Sequence, residues 1–158
     1  GWIAIKNKDF NAQVMKLCQG RLSVSEIEQV GVTALYKTTP QSYLQEVNKE
    51  YKMRRDVLYK GLKAIDGAVC FEPKGAFYTM VKFPIDSSEK FIIWMLQNFD
   101  INGETTMAAP GNGFYADPNK GIDEMRIAYV LKKEDLEKAL NILKQAIEAY
   151  PGRLAIKA

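Results

Sequence analysis

Just after Pro40, a stretch of about 24 residues repeats its apolar side chains every three or four positions: Leu44, Val47, Tyr51, Leu58, Leu62 and Ile65. The other side carries Lys49, Lys52, Arg55, Asp56 and Lys60. Its cluster Lys52, Arg54 and Arg55 is interleaved with Glu46, Glu50 and Asp56, which reads as a solvated helix face. A helix of this length runs ~36 Å at 1.5 Å per residue. That is long for one compact domain and suits an element bridging two.

The two sides of this helix read differently. Upstream, residues 2–5 read as a short buried strand. From Asp9, Phe10, Val14, Leu17 and Cys18 fall at helical spacing until Gly20. Ser23 and Glu26 form a capping-box pattern before a second helix, with Ile27, Val30 and Ala34 on one face. One strand and two helices are too little for an independent core, so residues 1–40 are expected to pack imperfectly. Downstream, strands are expected at 69–71 and 77–83 around the turn Pro73-Lys74-Gly75. A second capping-box pattern, Asp86-Ser87-Ser88-Glu89, opens a helix with Phe91, Ile92, Met95, Leu96 and Phe99 inward. A short strand at 105–108, a turn-rich stretch, a strand at 125–131 and a helix from about Leu136 to Tyr150 follow. The order β-β-α-β-β-α over 66–150 predicts a small two-layer α/β sandwich.

Composition narrows the chemistry. The 158 residues are 47% apolar and 26% charged with net charge +3, an ordinary globular balance that gives no argument for nucleic acid. Histidine is absent, which excludes a Ser/His/Asp triad, a Cys/His dyad and every His-containing metal site. Cys18 and Cys70 form no Cys-x-x-Cys pair, so no metal site is expected and both read as buried thiols in a reducing compartment, here cytoplasmic. No stretch reads as a signal peptide or membrane span.

Three segments carry candidate chemistry. Phe77 and Tyr78 resemble the aromatic strand of an RNA-recognition module, but adjacent strand residues point to opposite faces, which argues against base stacking. Pro110-Gly111-Asn112-Gly113-Phe114 could cradle an anion, yet it lacks the Lys-Ser/Thr of a P-loop and reads by default as a turn. Arg126 interrupts the apolar strand Met125-Arg126-Ile127-Ala128-Tyr129-Val130. A guanidinium beside a glycine-rich loop suits bidentate carboxylate binding. The alternative is an edge residue, or an ion pair with Asp123 or Glu124.

Together these pieces resemble the C-terminal part of fold-type I, pyridoxal-phosphate-dependent aminotransferases of the aspartate aminotransferase class. Gly1-Trp2-Ile3-Ala4-Ile5 is similar to the strand after the family's Schiff-base lysine segment. Pro73-Lys74-Gly75-Ala76-Phe77-Tyr78 resembles its Pro-x-Gly-aromatic turn, and Ala109-Pro110-Gly111-Asn112-Gly113-Phe114 its Pro-Gly-x-x-Phe loop. Met125-Arg126-Ile127-Ala128-Tyr129 resembles the strand whose arginine grips the substrate α-carboxylate.

The resemblance implies an α/β architecture in pieces. Residues 1–40 would end a large cofactor-binding domain, 41–65 form a long interdomain helix, 66–150 the small domain and 151–158 a tail. It also implies that the Schiff-base lysine lies upstream of residue 1, so that this piece has no catalytic residue and is expected inactive alone. The parent would use pyridoxal phosphate, not expected on the fragment, to move an amino group between an amino acid and a 2-oxo acid. Arg126 would hold the substrate carboxylate. Ser23 would sit in a loop approaching the neighbouring subunit's cofactor site. The parent is expected to be a homodimer, and the fragment to self-associate. The alternative is a non-catalytic carboxylate-binding or regulatory α/β domain.

Overall fold

The computed structural model of the chain describes residues 3–21 and 23–156. It divides into two compact units, Gly1–Tyr43 and Leu44–Ala158.

The first unit contains α1 (Lys8–Arg21) and α2 (Glu26–Thr38). Residues 3–7 are neither helix nor strand, and Trp2 lies outside the described residues, so the strand expected at 2–5 does not form over 3–5. A strand needs a neighbour to satisfy its backbone, and this short run has none. Asn7 starts α1 instead, its Oδ1 accepting the Asp9 and Phe10 amide N–H groups at 3.0 Å each. The capping box at Ser23 and Glu26 is also displaced. Ser25 takes the N-cap position of α2 without a side-chain cap. Gln29 Nε2 bonds back to the Val24 carbonyl at 2.7 Å. Neither helix buries a residue.

The helix α3 (Gln41–Lys63) spans 23 residues, close to the stretch read from the sequence, and buries only Leu58 and Leu62, near its C-terminal end. The second unit continues with β1 (Val69–Cys70), β2 (Tyr78–Lys82), α4 (Ser88–Asn98), β3 (Ala109–Pro110), β4 (Glu124–Ala128) and α5 (Lys133–Ala149). The four strands form an antiparallel sheet in the order β1-β2-β4-β3. The strand expected at 105–108 is displaced to 109–110, where Ala109 pairs with Arg126 and Pro110 with Met125. Pro110 has no N–H to extend that ladder, so it suits an edge.

Register decides which side chains meet. Cys70, Val81 and Met125 pair in one row and are all buried. Phe91 and Met95 from α4, Leu136 and Ile147 from α5, and Leu58 and Leu62 from α3 join the same core. Because strand side chains alternate, Tyr78, Met80 and Lys82 point to the other face together with Ala128, Arg126 and Glu124.

Local chemistry fixes the ends. Ser87 Oγ caps α4 by accepting the Lys90 amide N–H at 3.4 Å, one residue later than the Asp86-to-Glu89 pattern suggested. Asp86 is freed for the chain end, where its Oδ1 accepts the Tyr150 hydroxyl at 2.9 Å. The backbone beyond α5 stays attached, with Asp86 N–H bonded to the Gly152 carbonyl at 3.0 Å and Leu154 N–H to Pro84 at 2.8 Å. Neither cysteine is in a disulfide. Cys70 is buried as expected, but Cys18 is exposed because α1 covers no core.

Candidate functional site

The site is built on the sheet face opposite the core. Arg126 sits centrally in β4, opposite Met80 on β2 and Ala109 on β3. Its side chain is partly covered by two rings. The Cζ atom lies 4.6 Å from the Phe114 ring centroid and 5.2 Å from that of Tyr78, within cation–π range.

Each ring is delivered by one of the turns singled out in the sequence. Ala76 takes φ +59°, so it is this residue and not Gly75 that adopts the left-handed conformation in the first turn. The buried Tyr129, just beyond β4, donates its hydroxyl to the Ala76 carbonyl at 2.9 Å, and its N–H to Phe77 at 2.8 Å. Burial pushes the Tyr129 phenol up, which keeps it a donor. The turn is thereby tied to β4, and Tyr78 enters β2 beside Arg126.

The second turn is tied just as closely. Gly111 donates its N–H to the Glu124 carbonyl at 2.7 Å. A Cβ at Gly111 would lie 2.7 Å from that oxygen, so no larger residue fits without movement. Gly121 has φ +68° and would carry a Cβ 2.5 Å from the Tyr115 ring. Asn112–Phe114 form one turn of 3₁₀ helix, with the Phe114 N–H bonded to Gly111 at 3.0 Å. That turn sets the Phe114 ring over the guanidinium.

The neighbouring acids are occupied elsewhere. Asp123 pairs with Lys82 at 2.9 Å, and that hydrogen bond raises the Lys82 pKa. Glu124 accepts the Tyr115 hydroxyl, which raises the Tyr115 pKa. The ion pair between Arg126 and Asp123 or Glu124 does not form. Among the described residues the Arg126 guanidinium has no salt bridge and no hydrogen bond. No buried side-chain nitrogen lacks a partner there, so its donors reach solvent.

The other arginines differ. Arg54 bonds to Glu50 at 2.8 Å and to the Val130 carbonyl; Arg55 pairs with Asp56 at 2.6 Å and Glu72 at 3.2 Å. Both side chains are only 18% exposed, so the face read as solvated is in part a set of tertiary ties. Spacing along the helix could not show this, because Glu72 and Val130 come from distant segments. Ser23 lies in the first unit, exposed and without a side-chain hydrogen bond among the described residues. A cavity of about 250 Å³ opens among Leu58, Met95, Ile127, Leu136 and Leu143. Arg126 does not line it. No group of three His, Cys, Asp or Glu residues is placed to hold a metal ion among the described residues. No helix among them is long and apolar enough to cross a membrane.

Tyr78 and Phe114 were not assigned to the Arg126 site from the sequence. Both lay in quoted motifs, but only the strand register and the folded loop bring them together.

The comparisons with known proteins agree with one another. Residues 1–143 match the family model described as Aminotransferase class I and II. An aspartate aminotransferase from Pyrococcus horikoshii is 33% identical over 126 residues, covering 78% of this chain and 30% of that enzyme. The solved structure of an alanine aminotransferase from Pyrococcus furiosus is similar at 27% identity and TM-score 0.70, covering 92% of this chain and 36% of that one. An α-aminoadipate aminotransferase from Thermus thermophilus shares the fold, with TM-score 0.71 at 20% identity, covering 89% of this chain and 36% of that one. The chain thus spans roughly a third of the length of the proteins it matches. By the match over nearly its whole length, it belongs to the aminotransferase class I and II family.

Proposed function

We propose that this chain is the C-terminal part of a pyridoxal-phosphate-dependent aminotransferase and that Arg126 receives the substrate α-carboxylate. In this reading residues 1–40 end the large cofactor-binding domain, 41–65 form the interdomain helix and 66–150 the small domain, a two-layer sandwich. The parent works as a homodimer on an amino acid and a 2-oxo acid. Ser23 is assigned to the loop approaching the partner subunit's cofactor.

The observation that carries the reading is a guanidinium in the middle of a strand with no hydrogen bond and no ion pair among the described residues, while both nearby acids are paired elsewhere. A planar fork of donors left open matches the two oxygens of a carboxylate.

The cofactor supplies the electron sink for amino-group transfer when bound. The lysine on the Arg126 face does not fit its attachment. A lysine that condenses with an aldehyde must lose its proton. Lys82, the lysine on the Arg126 face, is instead held protonated against Asp123 at 2.9 Å. This reading assigns attachment to residues outside these 158, and the whole activity to a longer protein.

Arg126→Lys in that longer enzyme tests the reading. The ammonium cannot reproduce the fork, and the loss is expected at about 2–4 kcal/mol, roughly 30- to 1,000-fold in kcat/KM for the amino-acid half-reaction. The cofactor spectrum should stay near normal. Unchanged efficiency would remove Arg126 from the site. The chain alone, mixed with pyridoxal phosphate and borohydride, should give no stoichiometric adduct on a single lysine. Such an adduct would overturn the placement of the attachment lysine.

A further inference from the structure

We infer that Phe114 and Tyr78 are positioning residues that clamp the Arg126 guanidinium through its planar face and so aim its edge at the substrate carboxylate. This deepens the proposal above and rests on it. An arginine side chain with no hydrogen bond of its own keeps rotamer freedom, and ordering it on binding costs free energy. Hydrogen-bonding partners would fix it but would also occupy the donors the carboxylate needs. A ring over the guanidinium avoids that conflict. It attracts the cation through its π face and leaves the N–H groups, which lie in the guanidinium plane, open at the edge.

The distances fit this arrangement. The Arg126 Cζ lies 4.6 Å from the Phe114 centroid and 5.2 Å from the Tyr78 centroid, and no acid pairs with the guanidinium among the described residues. Neither ring is there to fill the core, since Phe114 is 52% and Tyr78 42% exposed. What holds them is the scaffolding of the two turns: the close approach of Gly111 to Glu124, and the bond from Tyr129 to Ala76. The two glycine-containing turns therefore share one task, each delivering a ring to the same cation.

The test uses the longer enzyme with pyruvate as the probe, a 2-oxo acid with a single carboxylate. Two quantities are measured: the order of the Arg126 Nε–H bond by NMR relaxation, and the Kd for pyruvate by titration. Phe114→Leu keeps an apolar side chain but removes the π face. It should loosen the Nε–H bond and raise Kd about three- to tenfold, while Phe114→Tyr should hold Kd within about twofold. Tyr78→Leu repeats the comparison at the second ring. If Phe114→Leu and Tyr78→Leu leave both quantities unchanged while Arg126→Lys weakens binding, the clamp is wrong and the carboxylate reading stands. If Arg126→Lys leaves Kd unchanged, the carboxylate reading itself fails and the clamp falls with it.

Discussion

The two units of this chain are made of similar material and put it to opposite use. In the first, Phe10, Leu17, Ile27, Val30, Leu35 and Tyr36 are all more than half exposed. In the second, Val81, Phe91, Met95, Met125, Ala146 and Ile147 are fully buried. Apolar spacing made helices in both. What the second unit has in addition is a sheet, whose paired strands present a continuous apolar row for helices to cover. Helices of 14 and 13 residues are near the length at which an isolated helix is marginal in water, and most helical stability comes from packing. The apolar faces of α1 and α2 therefore need cover that these residues do not supply. On the proposed reading an assembled large domain would give it, and self-association of the free chain is the expected substitute.

The contrast can be broken most forcefully at Phe91, which is fully buried and packs 5.1 Å edge-on to Tyr150. Phe91→Ala should cost about 3–5 kcal/mol in urea unfolding followed by far-UV circular dichroism. A loss below about 1 kcal/mol would mean that the second unit is not held by the core described.

Next in size is Gly111→Ala. Its Cβ would sit 2.7 Å from the Glu124 carbonyl oxygen, and the backbone must shift to relieve it. A cost of about 1–3 kcal/mol is expected in the same measurement, with a displaced Phe114. Full stability together with an unmoved Arg126 resonance would detach the loop from the site.

Tyr150→Phe is expected to cost about 1–2 kcal/mol at neutral pH, because it leaves Asp86 without its hydroxyl donor. Burial, and then the hydrogen bond to Asp86, push the Tyr150 phenol up to about 12. Below about pH 10 it is protonated in both folded and unfolded chains. Between about pH 10 and 12 only the unfolded chain releases the proton, so stability falls as pH rises. The variant should lack that part of the alkaline loss; an identical pH profile would contradict the tie.

The smallest effect belongs to the first unit. Ile27 is 85% exposed, and Ile27→Ala should change stability by less than about 0.5 kcal/mol. A loss comparable with that at Phe91 would show that α2 has a packing partner after all.

The sequence made the period of each long element legible, and little that depends on partners. The helix after Pro40 was read to within two residues of its end because its repeat is long and uninterrupted. The strand ends were not, since pairing sets them: β4 stops its ladder at Ala128, where β2 begins at Tyr78. Arg126 was readable as a charge in an apolar strand. Whether it paired with Asp123 or Glu124 was not, because the answer lies with Lys82 and Tyr115, which take those acids. The same limit hid the role of Arg55, whose partner Glu72 lies beyond the helix. It also left Ser23 a capping residue by pattern and Ser25 the one in place.

Residue-resolved hydrogen exchange on the 158-residue chain, at a concentration where it is monomeric, tests the central contrast most directly. Amides of β2, β4 and α5 should open only with the whole second unit and exchange about a hundredfold or more slowly than those of α1 and α2, which should exchange by local fraying. Equal protection of α1, α2 and the sheet in the monomer would contradict this account, because the first unit would then carry its own stability.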